Sequence, residues 1–314
     1  MLYTPLTMEA MRLCFAAHAG QVDKCGIPYA NHPLHLAERM QTEDETCVAL
    51  LHDVMEDCGK TPDDLRSIGV SERAIEALLL LTHERDVPYL DYVRALQHNE
   101  IARKVKVADL RHNSELARLN NVTERDLMRL RKYMEARVLL GDMAYELKTP
   151  VGPVCVTVGG KPYPFAIANA TPRVCSISSA MGGPEGACQM EIETLLLEVG
   201  DEVEIVCDFG SEVVDSGNKD GVSYMVYTKD GWLVEQSFFV GEPGWCSYRL
   251  DPASCSCEIV ENPIDYRFRH LAHVLVVRFA WKRWGCSSER TDDDEALLRT
   301  ENCESLRADC SAEQ

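Results

Sequence analysis

Four ionisable residues crowd one short stretch of this chain: His52, Asp53, Glu56 and Asp57, in Leu51-His52-Asp53-Val54-Met55-Glu56-Asp57. On a helix, His52 and Glu56 are four apart, as are Asp53 and Asp57, while Asp53 and Glu56 are three apart. That spacing gathers all four on one side. The other side carries Val48, Leu51, Val54, Met55 and Cys58, a stripe expected to face a core. Three carboxylates beside an imidazole repel one another unless a cation neutralises them, and a divalent metal is the simplest remedy.

Two further stretches offer the remaining ligands for such an ion. Asn31-His32-Pro33 sets a histidine at the start of a helix, with Pro33 at a tolerated early position. Val107-Ala108-Asp109-Leu110-Arg111-His112-Asn113 puts Asp109, His112 and Asn113 on one helix face. His32, His52, Asp53 and Asp109 then form a mixed nitrogen and oxygen set. It suits an octahedral, Mn²⁺-like ion with positions left for water and a phosphate oxygen. His18 and His112 are expected to pack around the site rather than ligate, and His35 and His83 to be structural or exposed.

These residues need rigid elements to hold them. Residues 5–147 read as successive helices, with apolar residues at three- and four-residue spacing, as in Met8, Met11 and Phe15. Thr7 is a weak helix start. Thr61-Pro62-Asp63-Asp64 is a good one, Ser71-Glu72 opens another helix, and Thr123-Glu124 opens the last long one, to about Glu146. At Thr149-Pro150-Val151-Gly152-Pro153 the texture changes, and these residues read as a linker. Strands are predicted over Val154–Val158, Glu202–Cys207 and Ser223–Thr228, with a hairpin turn at Lys229-Asp230-Gly231. Helices are predicted over Met190–Val199 and around Asp265–Trp284.

The expected fold class is therefore α+β. An all-helical domain spans 1–148, a smaller β-rich α+β domain spans 149–285, and an acidic tail over 286–314 is expected to be disordered. A formal net charge of −19 without a Lys/Arg run disfavours nucleic acid and anionic lipid as partners. The N-terminus does not read as a signal peptide, and the most apolar window, Val274–Trp281, is too short to span a bilayer. A cytoplasmic protein is expected. Its 14 cysteines form no CxxC pair and read as buried or half-buried thiols.

The words around the ionisable residues resemble a family. Ala16-Ala17-His18-Ala19-Gly20-Gln21, Lys24, and Gly26-Ile27-Pro28-Tyr29 running into His32-Pro33 come first. Leu50-Leu51-His52-Asp53 with Glu56-Asp57 follows, then Lys106-Val107-Ala108-Asp109 ending in His112-Asn113. In this order they resemble the HD superfamily of metal phosphohydrolases, and within it the hydrolase domain of the RelA/SpoT alarmone enzymes. The resemblance covers roughly residues 5–145. It implies an HD-type helical domain in which His32, His52, Asp53 and Asp109 bind Mn²⁺ or another divalent metal. Glu56 and Asp57 would orient or activate the attacking water, and Lys24 and Asn113 would lie along the nucleotide. The implied reaction removes the 3′-pyrophosphate of guanosine tetra- or pentaphosphate.

Two departures bear on specificity. Asp23 stands where those hydrolases carry an arginine that packs on the purine base, and Asp109-Leu110-Arg111-His112-Asn113 exchanges two residues of the family's Asp-Arg-Leu-His-Asn. Two other readings stay open. One is hydrolysis of another nucleotide, such as the 2′-phosphate of a nicotinamide dinucleotide. The other is a non-catalytic nucleotide-sensing or antitoxin-like module. No stretch after Pro150 resembles the lysine-rich motif of the family's separate synthetase domain, so synthesis is not expected. The sequence carries no signal for an oligomeric state.

Overall fold

Capping residues open most of the helices of the first half. In the computed structural model, which describes residues 1–115, 118–119, 123–149, 152–171, 188–197, 200–207, 212–219, 222–229, 232–240, 246–251, 256–261 and 273–283, nine α-helices fill the N-terminal region: α1 Pro5–Ala17, α2 Asn31–Ala37, α3 Glu43–Leu51, α4 Val54–Cys58, α5 Pro62–Ser67, α6 Glu72–Leu81, α7 Tyr89–Ala95, α8 Glu100–Asn113 and α9 Glu124–Leu139. Thr61, Ser71 and Thr123 sit at the N-caps of α5, α6 and α9, as their sequence signals require. The weak signal at Thr7 is not the start of α1. Thr4 caps that helix, Pro5 follows it, and the Thr7 hydroxyl oxygen accepts from the Thr4 backbone N–H at 2.8 Å.

Helix α3 is the buried post of this unit, with every residue from Glu45 to Leu51 inside. Leu50 and Leu51 are fully buried with Leu36, Ile75, Leu78 and Leu110, each contributing about 1.5–3 kcal/mol by leaving water. The end of α3 is therefore a fixed point, and His52 follows it directly.

The last long helix stops at Leu139, short of the expected Glu146. Gly141 takes φ 78°, the Gly141 N–H donates to the Val138 carbonyl, and the Asp142 N–H donates to the Arg137 carbonyl. This is a Schellman cap, and a glycine is needed at its left-handed position. The Asp142 carboxylate then accepts from Arg137 Nε at 2.6 Å and Arg111 Nε at 2.9 Å, fastening α9 to α8.

The chain divides into two compact units at Asp142/Met143, ahead of the boundary expected at 148/149. Thr149, Gly152 and Pro153 of the expected linker lie in strands, and Pro150 and Val151 lie outside the described residues. Strand β1 (Glu146–Thr149) pairs antiparallel with β2 (Gly152–Val158), with Thr149 opposite Gly152. Among the described residues the second unit holds strands and no helix, so its described part is all-β rather than α+β. One sheet runs β1, β2, β6 (Glu202–Cys207), β11 (Ser256–Glu261), β10 (Cys246–Asp251), with β3 (Lys161–Pro162) on β2. The other runs β4 (Ala166–Thr171), β5 (Cys188–Leu197), β12 (His273–Arg283), β9 (Trp232–Val240), β8 (Val222–Lys229), β7 (Glu212–Lys219). Val154, Val203 and Ile259 of the first sheet share a core with Ile192, Val277 and Phe279 of the second.

The predicted strands over Val154–Val158, Glu202–Cys207 and Ser223–Thr228 are present, and Lys229 pairs with Trp232 across the expected hairpin. The two predicted helices are corrected. Residues 190–197 belong to β5, where Met190, Ile192 and Thr194 are buried in alternation. Residues 273–283 form β12, hydrogen-bonded on both sides, by β5 and β9. The rest of the Asp265–Trp284 prediction, and the tail 286–314, lie outside the described residues. No helix among the described residues is long and apolar enough to cross a membrane.

Candidate metal centre

His32 lies on α2, His52 follows α3, Asp53 sits just ahead of α4, and Asp109 lies on α8. The single helix expected through His52 and Asp57 is broken between Leu51 and Val54. The break has a local cause. The His52 Nδ1–H donates to the Ala49 carbonyl at 2.9 Å, the acceptor that an unbroken helix would offer to the Asp53 N–H. Both residues keep right-handed backbone angles, so the three- and four-residue spacing across the break survives.

One donor atom from each of His32, His52 and Asp109 falls within 4.8 Å of the others, and all three residues are buried. Asp53 adjoins them, with Oδ2 2.9 Å from His52 Nε2 and 4.0 Å from His32 Nε2. Asp109 Oδ1 lies 3.2 Å from His32 Nε2.

The donor set fits a metal ion. Because His52 Nδ1 is committed to a carbonyl, the neutral ring carries its lone pair on Nε2, facing the cluster. That Nε2 is buried and makes no hydrogen bond, although a carboxylate oxygen is 2.9 Å away. A cation between them would satisfy both. His32 is held in the same way by its other nitrogen, with Nδ1 2.7 Å from His112 Nδ1. Burial and then the neighbouring His32 push the His112 imidazole down to about 3, so it stays neutral and its Nδ1 can accept a hydrogen bond from the His32 Nδ1–H.

Without a cation, the charges of the site act on one another. Burial opposes charge on His52, yet Asp53 and, after it, Asp109 push the imidazole up to about 9. Burial likewise opposes charge on Asp53, while His52 holds it down to about 2. For Asp109 burial is outweighed by Lys106 and then His32, which hold the carboxyl far below its usual range. The Lys106 ammonium lies 2.8 Å from Asp109 Oδ2, and the Asn113 amide donates to Asp109 Oδ1 at 2.6 Å. Tyr29 donates its hydroxyl to Asp53 Oδ2 at 2.6 Å, and burial with Asp53 pushes the phenol far up.

The paired acids differ in their surroundings. Glu56 Oε2 accepts from the His83 backbone N–H at 3.0 Å. Asp57 is exposed and has no hydrogen-bond partner for its carboxylate among the described residues, and burial with the Asp53 and Glu56 charges raises its carboxyl. Lys24 is exposed and pairs with Asp126 at 2.6 Å. Asp23 turns into its own loop, where Oδ1 accepts from the N–H groups of Cys25 and Ile27 at 2.8 and 3.0 Å. Its other oxygen lies 4.0 Å from Arg118.

An aromatic and basic wall adjoins the cluster through Lys106 and His83. The Lys106 ammonium lies 5.5 Å from the Tyr92 ring centre, and Lys132 lies over Tyr89 at 4.2 Å and near Tyr133 at 5.8 Å. Lys132 has no acidic partner among the described residues, and the Tyr89 hydroxyl is buried without a hydrogen bond. Sequence reasoning placed Tyr29 and Lys106 in motifs but gave them no role, and it missed Tyr89 and Lys132 altogether. The three-residue spacing of Lys106 and Asp109 was a usable signal; the others carry none. No protein-family model matches the chain, and no curated protein matches its sequence.

Proposed function

We propose that the helical unit is an HD-type, metal-dependent phosphohydrolase acting on a phosphorylated nucleotide. An alarmone-type purine nucleotide carrying a 3′-pyrophosphate is the leading substrate. The observation that carries this reading is the buried His32, His52 and Asp109 group, with Asp53 beside it and an unbonded Nε2 on His52. His32, His52, Asp53 and Asp109 would hold the ion, and a hard or borderline cation such as Mn²⁺ matches two nitrogens with two carboxylates. When bound, such an ion lowers the pKa of water and draws charge from a phosphoryl oxygen.

The chain's own residues do the rest. The two ligand carboxylates would balance a divalent ion, and the Lys106 ammonium offsets part of the remaining charge of Glu56 and Asp57. Asp57, with its carboxylate unengaged, takes the proton of the attacking water. Glu56, tied to the His83 amide, orients the start of that wall. Lys132, without an acidic partner among the described residues, supplies a cation for a further phosphate, and Tyr89 and Tyr133 supply faces for a base. Lys24 and Asn113, engaged with Asp126 and Asp109, are left with supporting parts. The inward turn of Asp23 removes the argument for guanine, and so favours keeping other nucleotides, including nicotinamide dinucleotide phosphates, in the test.

The test is a phosphate- and pyrophosphate-release screen over nucleotides with Mn²⁺ and with chelator. Metal-dependent release from a 3′-pyrophosphate nucleotide is expected. Release from none of the panel, with tight nucleotide binding, would replace the enzyme by a sensing module.

A further inference from the structure

The two acidic residues of the centre are supported unequally. Asp109 is gripped at both oxygens, by Lys106 on Oδ2 and by Asn113 on Oδ1. Asp53 has one hydrogen-bond donor among the described residues, the Tyr29 hydroxyl, at 2.6 Å on Oδ2. That oxygen is also the one 2.9 Å from His52 Nε2 and 4.0 Å from His32 Nε2. The backbone gives Asp53 little help. It sits at a helix break, at the N-cap of the five-residue α4, and its side chain makes no capping bond.

We propose that Tyr29 is the positioning residue of the metal centre, acting through Asp53; this rests on reading the cluster as a metal site. A carboxylate oxygen has two in-plane lone pairs. With one taken by Tyr29, the other is left for an ion shared with the imidazole nitrogens. The Tyr29 ring is fixed independently of its hydroxyl. It packs 4.9 Å from the His18 ring and 5.7 Å from the His32 ring, and its backbone N–H donates to the Gln21 carbonyl at 3.0 Å. The loop holding Tyr29 is itself anchored to the end of α4, where Gln21 Nε2 lies 3.8 Å from Cys58 Sγ and His18 Nδ1 lies 3.4 Å from the same sulfur. Tyr29 therefore couples the placement of α2, which carries His32, to that of Asp53.

The experiment is Tyr29→Phe in the full chain, with Mn²⁺ affinity measured by calorimetry and by the spin resonance of free Mn²⁺. Phenylalanine keeps the ring contacts and removes only the donor. Outer partners of metal ligands typically govern affinity by about 10–100-fold, and a loss in that range is expected, with the metal-free protein still folded and melting cooperatively. In an Asp53→Ala background the same substitution should cause no further loss, because the route through Asp53 is gone. Affinity within about threefold of wild type, or an equal loss in both backgrounds, would overturn the proposal. Failure of the wild type to bind any divalent cation would overturn both this and the metal reading. Weakened Mn²⁺ binding in a protein that hydrolyses no nucleotide would sustain the role of Tyr29 and sink the phosphohydrolase alone.

Discussion

Lys106→Met tests whether the site was built around a positive charge. The Lys106 side chain is 15% exposed and Asp109 8%, so their pairing at 2.8 Å is largely out of water. At an effective dielectric of about 20, unit charges at that separation attract by about 6 kcal/mol before desolvation is counted. Removing one partner of such a buried pair costs about 3–5 kcal/mol. His32 at 3.2 Å and Asn113 at 2.6 Å still face Asp109, which puts the expected loss at the low end, about 3 kcal/mol. For a unit of this size that lowers the melting temperature by about 6–12 °C. A bound cation supplies the missing charge, so saturating Mn²⁺ should cut the penalty to less than half. The assay is thermal unfolding of both proteins with Mn²⁺ and with chelator. The sign in acid also follows. Asp109 is held below its ordinary value of 3.8, so its stabilisation is present above that pH and lost as pH falls below it, more steeply in wild type than in the variant. A metal-free loss below about 1 kcal/mol, or the same loss with and without Mn²⁺, would refute the reasoning.

Four other outcomes follow from the same contacts. Asp57→Asn should slow nucleotide hydrolysis by about 10²–10⁴-fold with Mn²⁺ still bound, and Glu56→Gln by less; full activity in the double variant would remove both acids from the mechanism. Mn²⁺ must displace a proton from His52, which is pushed up to about 9, so affinity measured by calorimetry should climb about tenfold per pH unit toward that value, against a flat profile if His52 is not a ligand. Asp23→Arg removes the acceptor of two loop N–H groups, and should lower stability by about 1–2 kcal/mol without improving the guanine-to-adenine ratio of kcat/KM; a gain in that ratio would favour at this position the base contact of the alarmone hydrolases that the sequence resembles. A fragment ending at Asp142 should unfold cooperatively and bind Mn²⁺ like the whole chain, whereas one ending before Asp142 loses the carboxylate that joins Arg111 to Arg137 and should melt lower.

Helix starts were legible because a cap is a local device: Thr61, Ser71 and Thr123 each bond within three residues of themselves. The hairpin at 229–232 was legible for the same reason. The stop at Gly141 was equally local, but the helical periodicity running past it hid the signal. Met190–Leu197 misled because Met, Glu and Leu favour helices, while the buried alternation of Met190, Ile192 and Thr194 is set by pairing with strands distant in sequence. The Val-rich β12 took its conformation from neighbours on both sides, which composition cannot supply.

The candidate site divides along the same line. The sequence by itself named His32, His52, Asp53 and Asp109, since residue type and helical spacing already group carboxylates that need a cation. It also named Glu56 and Asp57, but gave no means to tell a carboxylate held by the His83 amide from one left open. Only the tertiary structure decided which atoms meet. It set Tyr29 on Asp53, Lys106 and Asn113 on Asp109, and His112 on His32, and it turned Asp23 into its own loop. Two of these contacts, Tyr29 with Asp53 and His112 with His32, join elements distant in sequence. Their distances depend on how α2, α3 and α8 pack around a shared core, and no periodicity within one segment encodes that packing.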